Sequence, residues 1–230
     1  MKNYVIVGGS SGIGLETAKQ LANAGNTVHV LSRTWKEAEI PQNIHFHTID
    51  VLAEPIQFPE LPDIIDGIVY CPGSINLRPF KALKQSDFLS DLQINYLGAI
   101  QTIQKYLPQL LMSQTASIVL FSTVAVQKGM PFHASISGAK GAIEGLTKAL
   151  AAEYAPKIRV NAIAPSLTAT PLAEKLLNSE SKISAAAERH PLKKIGSAQD
   201  ISEAVIYLLN AHWVSGQIIN IDGGMSTIGN

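Results

Sequence analysis

Cysteine is nearly absent. Cys71 stands alone among 230 residues, so the chain can form no internal disulfide and no cysteine-built zinc site, and a reducing, cytoplasmic setting fits. An excess of either charge is lacking as well. Eighteen Lys and Arg balance eighteen Asp and Glu, and the pI lies near 7.0. No basic stripe is available to neutralise phosphates, which argues against nucleic acid and against an anionic membrane surface as partners. No apolar run reaches the roughly 18 residues of a transmembrane helix. The opening Met1-Lys2-Asn3-Tyr4-Val5 turns glycine-rich too soon for a signal peptide. What is plentiful is apolar surface: 46% of the residues are hydrophobic, 16% are charged and the mean hydropathy is +0.15. Such a chain buries a sizeable core and is no disordered polypeptide. At 24.6 kDa, one domain over residues 1–230 is expected.

Short apolar runs alternate with helical patterns along the whole chain. Tyr4 to Val7 is a continuous apolar run stopped by Gly8 and Gly9, as expected of a strand buried on both faces. Leu15, Ala18, Leu21 and Ala22 then recur at helical spacing, and Gly25 is positioned to end that helix. Thr27 to Leu31, Ile44 to Ile49 and Gly67 to Tyr70 read as further strands, with only a stub of helix between the first two of them. Pro55, Pro59 and Pro62 forbid a long helix before the strand at Gly67. Ser86 to about Leu111 reads as one long helix, Ser117 to Phe121 as a strand, and Ser137 to Tyr154 as another helix. Strands at Ile158 to Ala164 and Gln217 to Ile221 follow, with helical pieces over Leu172 to Arg189 and a helix over Ile201 to Leu209. The alternation predicts an α/β fold: a doubly wound, Rossmann-type parallel sheet of about seven strands with helices on both faces. Ligands are then expected beyond the carboxyl ends of the strands.

Gly8-Gly9-Ser10-Ser11-Gly12-Ile13-Gly14 lies between the first strand and the first helix. Glycines there let backbone amides approach a pyrophosphate, and the helix N-terminus adds free N–H groups and a partial positive charge. The loop resembles the Gly-x-x-x-Gly-x-Gly fingerprint of the short-chain dehydrogenase/reductase family, with Val7 where many members carry threonine. Asp50-Val51, Asn95, Lys140, the stretch Ile158 to Pro165, Pro191-Leu192, Ile195-Gly196 and the ending Ser215-Gly216-Gln217 with Asp222-Gly223-Gly224 agree with it. The resemblance implies that Gly8, Ser10, Ser11, Gly12, Ile13 and Gly14 cradle a dinucleotide. It further implies that Asp50 and Val51 meet its adenine, and that Cys71, Pro72 and Gly73 pass beside its ribose. Pro165, Leu167 and Thr170 would hold the nicotinamide carboxamide, with Ser166 replacing the usual glycine. Tyr70 and Cys71 occupy positions where the family carries asparagine, which is expected to loosen the support of the central sheet. Cys71 itself reads as a small buried hydrophobe rather than a redox thiol.

The end of the second strand decides between cofactors. A carboxylate there would bind a 2′-hydroxyl and repel a 2′-phosphate, but the sequence has Ser32-Arg33. A hydroxyl followed by a guanidinium suits a phosphate, so NADP(H) is expected ahead of NAD(H). A solvated surface arginine is the alternative.

The family's hydride transfer uses an asparagine, a serine, a tyrosine and a lysine, the last two four residues apart on one helix and hence on one face. Here Asn95, Thr123 and Lys140 match in spacing, but Ile136 stands at the tyrosine position. A positioned acid contributes ~10²–10⁴-fold, and isoleucine supplies none. His133, Ser137, or Lys140 acting through water held by Asn95, with Thr123 on the substrate oxygen, are the candidate substitutes; His133 also reads as a helix-end or surface residue. His45 and His47 share one face of a strand at a spacing a metal could use, but without a third ligand they read as edge residues. Glu144 and Lys148 read as a helix-surface pair. Two functions stay open: an NADP(H)-dependent oxidoreductase acting on a small carbonyl or alcohol with a non-standard proton donor, or a catalytically inactive dinucleotide-binding protein of the same fold. Residues 166–195 would cover the substrate, and the resemblance implies a homo-oligomer, tetramer or dimer.

Overall fold

The computed structural model describes residues 1–35 and 37–228. Strands β1 (Asn3–Val7), β2 (Thr27–Ser32), β3 (Ile44–Thr48), β4 (Gly67–Tyr70), β5 (Ala116–Phe121), β6 (Ile158–Pro165) and, after two short strands, β9 (Ile218–Ile221) form one parallel sheet in the order β3-β2-β1-β4-β5-β6-β9. The short pair β7 (Thr168–Ala169) and β8 (Gly196–Ser197) stands apart from it. Alternate side chains of a strand point to opposite faces, and the two cores follow that rule. Val5, Val7, Leu31 and Ile68 pack on one face with Ile103, Tyr106 and Ile143. Tyr4, Ile6, Val28, Val30 and Val69 pack on the other with Leu21, Ile201 and Val205. Because both faces are covered, β4 and β5 are buried along their whole length, which explains apolar runs without alternation.

Helix α1 (Gly12–Asn23) follows β1, and its end is set by Gly25, whose φ of +81° lets its N–H reach the Ala22 carbonyl at 2.9 Å. The stub of helix expected between β2 and β3 is not there among the described residues. That stretch has no apolar face of helical period and Pro41 closes it. The crossover before β4 is irregular, as its prolines require, and Phe58 and Leu61 plug it onto the core.

The long helix expected over 86–111 is there, running without interruption through α2 (Gln85–Leu92), a π-helical turn (Gln93–Leu97) and α3 (Gly98–Met112). Tyr70 packs against the π turn. Its buried hydroxyl donates to the Ile94 carbonyl at 2.7 Å, and any side chain at Gly98 would collide with it, a Cβ lying 2.2 Å from the Tyr70 oxygen. At the first of the two positions where the family carries asparagine, Tyr70 thus ties β4 to this helix. After β5 comes a short helix, α4 (Val124–Lys128), that the sequence pattern does not reveal, then α5 (Ala134–Tyr154), which starts three residues earlier than expected. A 3₁₀ turn at Pro171–Leu176, helix α6 (Glu180–Glu188) and helix α7 (Ala198–Asn210) complete the chain. Ser197 and Asp200 form a reciprocal capping box on α7.

Candidate active site

The strand order reverses between β1 and β4, where the sheet opens a crevice at its carboxyl ends. A cleft of about 270 Å³ lies there. Gly8, Ser10, Ser11, Gly12, Ile13 and Gly14 line it, together with Ser32, Arg33, Asp50, Val51, Cys71, Pro72, Gly73 and Thr170. The glycine turn is built for close approach. A Cβ on Gly14 would meet the Gly8 carbonyl oxygen at 2.5 Å, so only glycine lets α1 start this near β1. Gly8 and Gly12 hold φ values of +74° and +55°, which favour glycine. No side chain caps the start of α1, which leaves its first N–H groups facing the cleft. The residues therefore fit a pyrophosphate. Ser10 and Ser32 join their hydroxyls at 2.8 Å, tying the glycine turn to the end of β2 where Arg33 is exposed. Thr170 comes down over the turn, 3.3 Å from where a Gly12 Cβ would lie.

Gly73 links this cleft to the catalytic candidates. A Cβ there would lie 3.1 Å from Asn95 Oδ1 and 3.7 Å from Lys140 Nζ. Asn95 sits in the π turn and donates from Nδ2 to the Asp91 carbonyl at 2.8 Å and to Ser74 Oγ at 2.9 Å. Its buried Oδ1 has no partner among the described residues. Lys140 is 8% exposed. Burial pulls its ammonium down to about 8, against the opposing pull of Cys71 and Asp91. Cys71 is half-buried in the wall of the cleft, and desolvation pushes its thiol up to about 12, which suits an inert packing residue. Ile136 is buried one helical turn before Lys140. Thr123 caps α4, its Oγ1 accepting from the Ala125 N–H at 3.3 Å.

His133 stands at the start of α5, where its Nδ1 donates to the Pro131 carbonyl at 2.7 Å; like Asn95, Thr123, Lys140, Pro165 and Leu167, it does not line the cleft itself. Glu144 is no simple surface partner of Lys148: its carboxylate accepts from Ser122 Oγ at 2.6 Å. His45 and His47 are joined by His29 of β2, a third imidazole the sequence reading passed over. The rings stack with centroids 5.2 and 5.3 Å apart, and His29 Nδ1 lies 3.1 Å from His47 Nε2. Both His45 and His47 lie on β3, the edge strand of the sheet, as expected, His45 exposed and His47 half-buried. Among the described residues no group of three or more ligating side chains could hold a metal ion, and no helix is long and apolar enough to cross a membrane.

The largest omission of the sequence reading is a buried polar knot around Asp91. Ser74 donates to its Oδ1 and Ser135 to its Oδ2, both at 2.6 Å. One signal was available: Asp91 lies four residues before Asn95 in an otherwise apolar helix face, so the two share a side.

The family model described as enoyl-(acyl carrier protein) reductase matches residues 58–226. The chain is 29% identical over 245 residues to a 3-oxoacyl-[acyl-carrier-protein] reductase, FabG, of Thermotoga maritima, covering 97% of both chains. It is 30% identical over 235 residues to carbonyl reductase family member 4 of Xenopus laevis, covering 97% of this chain and 98% of the other. The solved structure of ElxO with NADP bound superposes with a TM-score of 0.88 at 27% identity, covering 99% of each chain. With the sheet order, the glycine turn and a matched stretch longer than half the molecule in agreement, the chain belongs to the short-chain dehydrogenase/reductase family.

Proposed function

We propose that this protein is an NADP(H)-dependent oxidoreductase, a single domain that interconverts a small carbonyl and its alcohol, with Lys140 as a non-standard proton donor. The observation that carries the reading is the cleft itself: a glycine turn that admits backbone only, followed across the crevice by Arg33 at the end of β2. Gly8 to Gly14 would hold the pyrophosphate, Ser32 and Arg33 the 2′-phosphate, and Asp50 and Val51 the adenine, with Thr170 near the carboxamide. When bound, the nicotinamide supplies or accepts the hydride. The relatives' names support a carbonyl substrate, since one is a 3-oxoacyl reductase and another a carbonyl reductase, and a neighbour with NADP bound supports the cofactor.

The chain's own residues then have to manage one proton. An ammonium held near 8 is mostly charged at neutral pH yet gives up its proton more readily than an ordinary lysine. Asn95 Oδ1, a buried acceptor beside it, orients the transfer, and Thr123 offers a hydroxyl to the substrate oxygen. His133 is the alternative donor, at the start of the same helix. Residues 166–195 would cover the substrate, and the protein would work as a cytoplasmic homo-oligomer.

Calorimetric titration with NADPH and NADH tests the cofactor, with NADPH expected to bind the tighter. Substrate-dependent NADPH oxidation that collapses in Lys140→Met tests the chemistry. Full turnover in that variant would overturn the proposed site. One observation favours a second reading: Ile136 is buried and aliphatic where the family carries its acid. Tight cofactor binding without turnover over a broad carbonyl panel would establish a sensor or structural dinucleotide-binding protein instead.

A further inference from the structure

We propose that Asp91 is the positioning residue of this site: a buried carboxylate, clamped by Ser74 and Ser135, that serves as the counter-charge of Lys140 where Ile136 has replaced the tyrosine. The inference rests on reading Lys140 as the proton donor. Two buried ionisable groups flank the same short stretch of backbone. Lys140 is 8% exposed and Asp91 2%, and neither makes an ion pair within 4.0 Å among the described residues. Lys140 Nζ approaches Gly73, and the next residue, Ser74, donates to Asp91.

A single buried charge without compensation is costly or is neutralised by a change of protonation. Here two hydroxyl donors, one on each oxygen, compensate the Asp91 carboxylate. An anion fixed in that way favours the charged form of a nearby lysine. The clamp is built from the three segments that also carry the candidate chemistry. Ser74 follows the Cys71 to Gly73 turn, Asp91 precedes Asn95 by one helical turn, and Ser135 lies on α5 with Lys140. Asn95 closes the knot by donating to Ser74 Oγ.

Of the other charged groups on these elements, Asp87 of α2 accepts from the Lys84 N–H and faces Arg78 at 3.8 Å, Glu144 of α5 takes the Ser122 hydroxyl, and Lys128 of α4 donates to the Met225 carbonyl, while Lys148 and Glu153 lie two or more turns further along α5. Cys71 and Asp91 are the ionisable groups that bear on Lys140. Cys71 stays a neutral thiol, which leaves Asp91 as the standing charge.

Lys140 is titrated by ¹³C NMR of its side chain in the cofactor-free protein, in wild type and Asp91→Asn, with circular dichroism to check the fold. The midpoint is expected to fall by about 1 pH unit in the variant. An unchanged midpoint in a folded variant overturns the inference and leaves Asp91 as a structural clamp. Should Asp91→Asn fail to fold, Asp91→Ser, which removes the charge with a smaller polar side chain, is titrated in the same way, and the Lys140 midpoint is again expected to fall by about 1 pH unit. No fall overturns the inference. These readouts need no turnover. Absence of NADPH oxidation with the coupling present therefore counts against Lys140 as donor and leaves the charge pairing intact.

Discussion

Acidification should unfold this protein earlier than its carboxylates alone would require, and His29 is the reason. It lies 7% exposed on β2, stacked between His45 and His47, with Nε2 buried and unpartnered among the described residues. The proton of the neutral ring therefore belongs on Nδ1, where it is donated to His47. Burial, reinforced by His47 and His45, pulls its titration from 6.5 down to about 4. The unfolded chain thus binds the extra proton first. Stability from the neutral ring is full above pH 6.5 and is lost as pH falls toward 4. From those two values the loss is about 2 kcal/mol at pH 5 and about 3 kcal/mol by pH 4. Urea unfolding of wild type and His29→Phe at pH 7 and pH 5 isolates the effect, because other titrating groups are common to both. His47, itself held low by burial and His45, titrates in each. Wild type should lose about 2 kcal/mol more than the variant between the two pH values. Equal losses would refute the reasoning.

Gly14→Val should weaken NADPH binding by at least about tenfold in calorimetry, because a Cβ at 2.5 Å from the Gly8 oxygen forces α1 off the turn. Binding as tight as wild type would exclude the turn as the phosphate site. Arg33→Ala should reduce NADPH affinity by about 1.5–3 kcal/mol and leave NADH affinity nearly unchanged, as a lost charge-assisted contact to phosphate would; an equal effect on both cofactors would remove its assignment. Tyr70→Phe leaves the Ile94 carbonyl without its 2.7 Å donor and should destabilise the fold by about 1–3 kcal/mol in urea. Ile136→Tyr places a phenol one turn before Lys140 and should raise carbonyl-reducing turnover; no gain with cofactor binding intact would mean that the substrate side of the pocket has diverged too.

The parts of this molecule that declare themselves in sequence are those governed by near neighbours. Tyr4 to Val7 is a strand and Gly8 to Gly14 a phosphate-type turn because the apolar run and the glycines act within one βα unit. Asn95, Thr123 and Lys140 could be aligned because spacing along strands and helices survives folding. What stayed hidden depends on contacts between distant residues. Asp91 meets Ser74 and Ser135 across gaps of 17 and 44 residues, and His29 meets His47 only once β2 and β3 pair. The π turn escaped for the same reason: nothing between Gln93 and Leu97 calls for it, and the tyrosine that packs against it lies 24 residues away. Helix α4 is a single short turn with no periodicity to detect.

The short ladder between β7 and β8 fastens residues 169 and 197 together at the base of a segment whose first residues, Thr170 to Leu172, line the cleft. Whatever lies between them is a lobe whose two ends are already joined, so lengthening it by a few residues adds little closure entropy. It lies outside the main sheet but is stitched to the turn after β9, the Leu192 N–H donating to the Gly223 carbonyl at 3.2 Å. Exchanging such a lobe for that of a relative would therefore have to carry this seam along with it.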